Sequence, residues 1–297
     1  MDNFKELTLD DKSLMDYYTE DERIKSYSYR FSSQYLWRKL CKPHFYMIDD
    51  TLIILKYEPT WGWYFMMPLN YTKNNLEYIL NCLKKISLNI TNCTFLLGDL
   101  EDFFIQDIYL YTPFNIQISN SRNDFEYVYR TKDLISLSGK KYHTKRSSYN
   151  SFVNNYNIQI VDTISPKVIY DCNILLRDWC TKQITINDEL ACEKEAIEDV
   201  LLNINYLNLN FIGIYIDDNL IAFSIGERFK DTAIIHTERC DNNYKGVYSF
   251  INKIFLMNNF SDTTWVNRQE DCGDSGLRRS KESYQPEFMI NKSLIIL

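Results

Sequence analysis

Glycine is scarce in this chain: there are 8 in 297 residues, with 6 prolines, against usual shares of about 7% and 5%. Neither the G-x-x-x-x-G-K-[ST] phosphate loop nor the G-x-G-x-x-G dinucleotide turn occurs, so the commonest nucleotide-binding enzymes lose their main support. Histidine is scarcer still, at 3, and the 8 cysteines never fall as C-x-x-C. The spacings of a zinc site are therefore missing, and no metal is expected. Apolar stretches such as Trp61–Leu69 fall far short of the ~20 residues that cross a bilayer, so no transmembrane segment is expected. The start, MDNFKELTLDDK, is polar and acidic, the reverse of a secretory leader. A cytoplasmic protein with reduced thiols is the expectation. Positive charge is also short: 33 Lys and Arg face 40 Asp and Glu, a net charge of −7. Phosphate contacts drive nucleic-acid affinity, so DNA is not an expected partner. A local basic patch stays open.

What is present is an ordinary globular composition, 45% hydrophobic and 25% charged. The length suggests two domains with sizeable cores. Phe45–Ile48 and Leu52–Tyr57 flank the turn Asp49-Asp50 and predict a β-hairpin. Trp61–Met67 follows as a strand. Leu76, Ile79, Leu80 and Leu83 recur at helical spacing, and Phe95–Leu97 is a further short strand. The second half repeats this order: Phe211–Ile216, the turn at Asp217-Asp218-Asn219, Leu220–Gly226, then Ala233–Glu238. A helix carrying Val247, Phe250, Ile251, Ile254 and Phe255 precedes Trp265-Val266. The strings echo as well. Ile48-Asp49-Asp50-Thr51-Leu52-Ile53 matches Ile216-Asp217-Asp218-Asn219-Leu220-Ile221, and Leu100-Glu101-Asp102 matches Gln269-Glu270-Asp271 at nearly the same offset. This predicts a duplicated domain with a mixed sheet and a β-α-β crossover in each half. Residues 1–125 and 126–297 are the expected domains.

Chemistry is expected where Ala233–Glu238 runs through Arg239–Lys245 into the helix beginning at Gly246. A helix N-terminus holds anions, Gly246 permits close backbone approach, and Lys245 adds a charge. The matching place in the first half, Pro68–Asn75, has no glycine. The bland alternative is that Gly246 only packs. Glu238 and Glu270 are candidate general bases, with a salt-bridged or solvated glutamate as the alternative for each. The run Lys140, Lys141, Lys145, Arg146 opposes the dipole at a helix start and suggests an anionic partner.

The string Trp265-Val266-Asn267-Arg268-Gln269-Glu270-Asp271-Cys272-Gly273, followed by Gly276-Leu277-Arg278-Arg279-Ser280-Lys281-Glu282-Ser283-Tyr284-Gln285-Pro286, resembles the motif N-R-x-x-D-x-G-x-x-G-L-R-x-x-K-x-S-Y-x-P. That motif belongs to the phosphatidylglycerol lysyltransferase C-terminal-domain family. Tyr27–Trp37, Leu137–Phe152 and Tyr244–Val247 with Asn252 resemble the same group. The resemblance implies an α/β (α+β) fold of two tandem GNAT-type (acyl-CoA N-acyltransferase-like) domains, each a mixed sheet with helices on both faces. The first would be degenerate at the donor site, and the second would hold the active site. It implies transfer of an acyl or aminoacyl group from a thioester or aminoacyl-tRNA to an amine or hydroxyl, the acceptor being a small molecule or lipid. Tyr244, Lys245, Gly246 and Val247 would hold the donor. Lys140, Lys141, Arg146, Asn267, Arg268, Asp271, Arg278, Lys281 and Tyr284 would bind substrate or an anion. The loop Asn242–Val247 keeps one glycine, which weighs against coenzyme A and leaves aminoacyl-tRNA as the other co-substrate. Two readings compete with catalysis. One is a non-catalytic ligand-binding protein on a degenerate fold. The other is an internal capping and salt-bridge network, with Asp271 or Asp274 capping the next helix and Arg268 paired internally.

Overall fold

The computed structural model describes residues 4–59, 61–90, 96–181 and 188–297. It divides into two compact units, Met1–Glu126 with Ile290–Leu297, and Tyr127–Met289. The first unit contains β1 (Lys5–Glu6), β2 (His44–Ile48), β3 (Thr51–Glu58), β4 (Gly62–Phe65), β5 (Leu96–Leu100) and β6 (Gln117–Asn120). β2 and β3 pair antiparallel through the acidic turn, where Asp49 takes a left-handed φ of 50°, a conformation Asp tolerates. The helix Leu76–Ile90 then carries the chain from β4 to β5, which pair in parallel at Phe65 and Leu97. Leu76, Ile79, Leu80 and Leu83 are all fully buried, so the apolar stripe is the packed face. Phe95, expected to open the last of these strands, lies outside the described residues.

The second unit contains β8 (Gln159–Val161), β9 (Asn210–Ile216), β10 (Asn219–Phe229), β11 (Thr232–Cys240) and β12 (Trp265–Asn267), with all of β7 (Glu126–Arg130) and β13 (Phe288–Ile290) but the end residues Glu126 and Ile290. β9 and β10 form the second hairpin, and β11 and β12 pair in parallel across the helix Val247–Asn259. Ile212, Ile214 and Ile216 pack with this helix and with Phe152 of the helix His143–Asn155. The alternate residue Tyr215 donates to Asp171 of the helix Pro166–Thr181 at 2.8 Å. Period-two alternation thus puts helices on both faces of the sheet.

The last strand, β14 (Ser293–Ile296), returns to the first unit and pairs antiparallel with both β5 and β6. The sheet orders are β1-β2-β3-β4-β5-β14-β6 and β8-β9-β10-β11-β12-β7-β13. The two units therefore share one plan, in which β14 stands beside β5 as β7 stands beside β12. Glu126 and Ile290–Leu297 group with the first unit, where the sequence reading placed them with 126–297. Sequential reading missed this because β14 is short and its partners are nearly 200 residues away. Among the described residues, Cys41, Cys82, Cys172, Cys180, Cys240 and Cys272 form no disulfide. Among the described residues, no helix is long and apolar enough to cross a membrane.

A buried cation pins β14. The Lys292 Nζ donates to Ser28 Oγ at 3.2 Å and lies 3.7 Å from the Glu126 carboxylate and 3.8 Å from Asp99. Glu126 is wholly buried. Removing one partner of a buried pair leaves an uncompensated charge. Lys292→Met is expected to lower the stability of the first unit by about 3 kcal/mol, read from urea denaturation. An unchanged midpoint would show that the pair does not hold the strand.

Candidate functional site

β11 and β12 are paired only over Thr232–Ile234 and Trp265–Asn267. Beyond that point they part. β11 continues to Cys240 alongside β10, whereas the chain after β12 stays with β7. The Arg268 N–H donates to the Tyr127 carbonyl at 3.0 Å, and the Tyr127 N–H donates to the Gln269 carbonyl at 3.1 Å. A β-bulge at the root of the parting opposes Ile235–Thr237 to Ile225–Gly226 and leaves His236 as the extra residue. His236 Nε2 lies 2.9 Å from Glu227 Oε1, and its Nδ1 lies 3.3 Å from Gln269 Nε2.

Further out, an ion pair spans the splay: Arg268 Nη2 donates to Glu238 Oε1 at 3.1 Å, with both side chains nearly buried. Asn252 of the helix Val247–Asn259 donates to the other oxygen of Glu238 at 3.5 Å. Burial pulls the Arg268 guanidinium down, but Glu238 and the neighbouring tyrosines outweigh it and hold the pKa above the ordinary arginine value. The Tyr284 ring carries two cations. Arg268 Cζ stands 4.9 Å from its centroid and Lys145 Nζ 4.0 Å. Burial, and then the Arg268 charge, hold the Lys145 ammonium down to about 8, while Glu238 opposes the shift. Among the described residues, Arg268 Nη1 is buried without a hydrogen-bond partner.

Asn267, Asp271 and Lys281 of the C-terminal motif are turned inward. Asn267 is fully buried and accepts from the Gln269 N–H at 2.8 Å. The fully buried Asp271 carboxylate accepts from Tyr127 Oη at 2.6 Å, from the Gly273 N–H at 2.9 Å, and from Arg278 at 2.9 and 2.7 Å. Burial would raise this carboxyl; the Arg278 and Tyr127 hydrogen bonds outweigh it and hold it well below the carboxylate range. Lys281 Nζ donates to the carbonyls of Arg268, at 2.6 Å, and Glu270. Burial holds it down to about 8, with Glu270 opposing. Asp274, not Asp271, caps the helix Ser275–Glu282, accepting from the Leu277 N–H at 2.6 Å. Arg146 donates to the carbonyls of Leu137 and Gly139 at 2.6 and 3.2 Å. Lys140 and Lys141 are exposed, and Lys141 pairs with Asp133 at 3.0 Å.

The expected donor loop is also packed. Gly246 has φ 93°, and a Cβ there would collide with the Ser148 carbonyl oxygen. Close approach of the helix His143–Asn155 therefore accounts for the glycine. Val247 is buried, the Tyr244 ring stacks edge-on to Tyr156 at 5.3 Å, and Lys245 is exposed. A cavity of about 530 Å³ opens beside this loop, with Asp171, Asp178, Asp218 and Asp241 in its wall together with Trp179 and Tyr244.

The structure thus brings Glu238, Arg268 and Tyr284 to one place, with Lys145 as the fourth member. The basic run contained Lys145 but did not single it out. Its signal was available: Lys145, Tyr149 and Phe152 lie at i, i+4 and i+7, which puts a lysine on the core-facing side of a helix.

Two tandem units of this plan, with the parallel pair parting beyond a bulge, make a GNAT-type acyltransferase fold. The family model described as phosphatidylglycerol lysyltransferase, C-terminal, matches residues 21–296, and the chain belongs to that family. A conserved protein of unknown function from Bacteroides thetaiotaomicron aligns over 99% of both chains at 26% identity and a TM-score of 0.89. L-PGS from Bacillus licheniformis aligns over 98% of this chain and 92% of its own at 13% identity and a TM-score of 0.66, a likeness of fold. A protein of Mycoplasmoides gallisepticum is 27% identical over 212 residues, 67% of this chain; the chain spans 66% of that relative's length.

Two outcomes check this assignment of scaffold. Gly246→Ala should destabilise by about 2 kcal/mol through strain and collision, while Lys245→Met should leave the melting temperature unchanged. The Asp271 carboxyl is lower in the folded state than its unfolded value of about 3.9. Its stabilisation is therefore complete above that pH and lost as the pH falls through the folded value. The melting-temperature gap between wild type and Asp271→Asn should be full at about pH 5 and close on acidification; a gap independent of pH would remove the charge from the account.

Proposed function

We propose that the protein is an acyl- or aminoacyltransferase whose reaction runs in the splay of the second unit. The observation that carries this reading is the buried Glu238–Arg268 pair spanning the parted strands, in a chain of the lysyltransferase C-terminal family. The acceptor nitrogen or oxygen attacks the donor carbonyl carbon, the ester or thioester bond breaks, and the acceptor's proton passes by way of a carboxylate to the leaving oxygen or sulfur. An anionic substrate group that draws on Arg268 loosens its hold on Glu238, which then takes the proton; Glu270 is the second candidate. The remaining motif residues hold the segment 267–271 in place.

The donor we favour is an aminoacyl ester of tRNA. Four aspartates line the cavity beside the loop Cys240–Tyr244, and carboxylates there repel the pyrophosphate of coenzyme A but suit the ammonium of an aminoacyl group. Exposed Lys140 and Lys245 offer phosphate contacts. The acceptor is an amine or hydroxyl of a small molecule or lipid, and the setting is the cytoplasm. Engagement of Glu238 by Arg268 favours a second reading, a ligand-binding protein without turnover.

Incubation of the full chain with labelled aminoacyl-tRNAs or acetyl-coenzyme A, with phosphatidylglycerol vesicles and simple amines as acceptors, separates these readings. Aminoacyl ester should be consumed and acetyl-coenzyme A should not. Arg268→Lys, which loses the planar fork, should lower the rate by about a hundredfold without lowering the melting temperature to match. Consumption of neither donor would leave the binding protein.

A further inference from the structure

Around the Tyr284 ring, positive charge exceeds negative. Lys145, Arg268 and Glu238 face one another around the Tyr284 ring. Two cations thus meet one carboxylate. Adding the adjoining Lys281 and Glu270 leaves the excess at one positive charge, because Lys281 sits near Glu270 and Arg268. Such an excess is costly where water is largely excluded. Two donors there are also unused. Arg268 Nη1 is buried with no acceptor, and an unsatisfied buried donor costs about 1–3 kcal/mol. Lys145 is half-buried, and the contact recorded for its ammonium is the face of the Tyr284 ring. The first unit supplies an internal contrast. There Lys56 and Lys292 meet Asp99 and Glu126, two charges of each sign. Lys56 Nζ reaches Asp99 at 3.0 Å and Tyr64 Oη donates to it at 2.8 Å.

The geometry points to an oxyanion clamp in the second unit, in which Lys145 Nζ and Arg268 Nη1 together hold one phosphate or carboxylate group of a ligand above the Tyr284 ring. The clamp deepens the transferase reading, on which the identity of its ligand as a substrate rests. Glu238 fixes one arm of the Arg268 fork, and Asn252 steadies Glu238 from the helix Val247–Asn259. The second arm is thereby held ready for the anion. Lys145 reaches the same ring from the helix His143–Asn155 on a flexible stem. The anion completes the charge balance and satisfies both donors. Binding requires the ammonium form of Lys145. The charged and titratable groups facing it are Arg268, Glu238 and Tyr284, and of these the Arg268 charge and burial favour its deprotonation in the empty site. Affinity is therefore level below about pH 8 and weakens above it.

Calorimetric titration of the full chain with inorganic phosphate, and separately with acetate, tests the clamp. One-to-one binding of at least one anion is expected at pH 7. Tighter phosphate would mark a phosphate ester as the natural group, and tighter acetate a carboxylate. Lys145→Met should weaken binding by about tenfold or more, whereas Lys132→Met, at an exposed lysine on the helix Thr131–Ser136, should not. Wild-type affinity should fall at pH 9. Lys145→Arg, which does not titrate in this range, should bind at pH 7 and keep its affinity at pH 9, and this readout stands even if Lys145→Met melts early. Absence of binding to both anions, equal loss in Lys132→Met, or unchanged affinity in Lys145→Met would overturn the clamp. Donor consumption that survives Lys145→Met unaltered would overturn the clamp while leaving the transferase. Anion binding without consumption of any donor would overturn the transferase while leaving the clamp.

Discussion

Two parallel strands that part in mid-sheet leave backbone groups without ladder partners, and the second unit is organised around supplying them. An unmade buried hydrogen bond costs about 1–3 kcal/mol, so a segment drawn away from β11 must be received elsewhere. Tyr127 receives it with both its N–H and its carbonyl. Lys281 caps the carbonyls of Arg268 and Glu270. Asn267 and Asp271 accept backbone N–H groups two residues on, at Gln269 and Gly273. The long C-terminal motif is therefore mostly scaffold. Its polar residues keep the segment 267–271 off β11, and Arg268 is the member whose side chain crosses the gap to Glu238.

That division separates two lysines that share a depressed pKa of about 8. Lys281 is buried but donates to two carbonyls, so its desolvation is offset and its position fixed. Lys145 rests on an aromatic face beside a second cation. Perturbed groups cluster at functional sites, but structural networks perturb them too. The geometry of the hydrogen bonds tells the two apart. Net charge does not: a chain of net −7 carries a local positive excess around Tyr284 because Asp271 is taken up by Arg278 and four other aspartates line the cavity beside Tyr244.

Much of the fold was legible in the sequence because the signals were local. The acidic turns at Asp49 and Asp217 sit at hairpins whose strands are adjacent in the chain, and Leu76, Ile79, Leu80 and Leu83 lie on one helical stripe. The echo between the halves reported the common strand order. Strand β14 was not legible, since a four-residue strand with partners far away carries no period of its own. At the site, residue type pointed to Arg268 and Glu238, but spacing could not distinguish a base from a salt-bridged glutamate. Gly246 was legible as a special position, yet its cause, contact with Ser148, depends on a helix a hundred residues earlier. Lys145 was hidden for the opposite reason. It sits in a basic run that reads as a solvated helix start, and only its phase against Tyr149 and Phe152 betrays its burial.

The duplication also sets the two strand ends in contrast. The offset that matches Glu101 to Glu270 places Asp99 against Arg268. Reversing the sign at that position changes what the splay can hold. In the first unit, Asp99 is closed off by Lys56, Tyr64 and the Lys292 that arrives with β14; burial would raise its carboxyl, but these partners outweigh it and hold it far below the usual range. Asp99 is matched there by two lysines, and the strand end becomes a structural clasp for the C-terminus. In the second unit, β7 occupies the corresponding place in the sheet and brings Tyr127 and Tyr129 beside the motif, with hydroxyls that donate to Asp271 and to the Lys281 carbonyl. Neutral phenols secure the scaffold without neutralising Arg268. The same sheet plan thus yields a sealed joint where the neighbouring strand supplies a counter-charge, and an arginine left to pair across the gap with Glu238 where it supplies a hydroxyl.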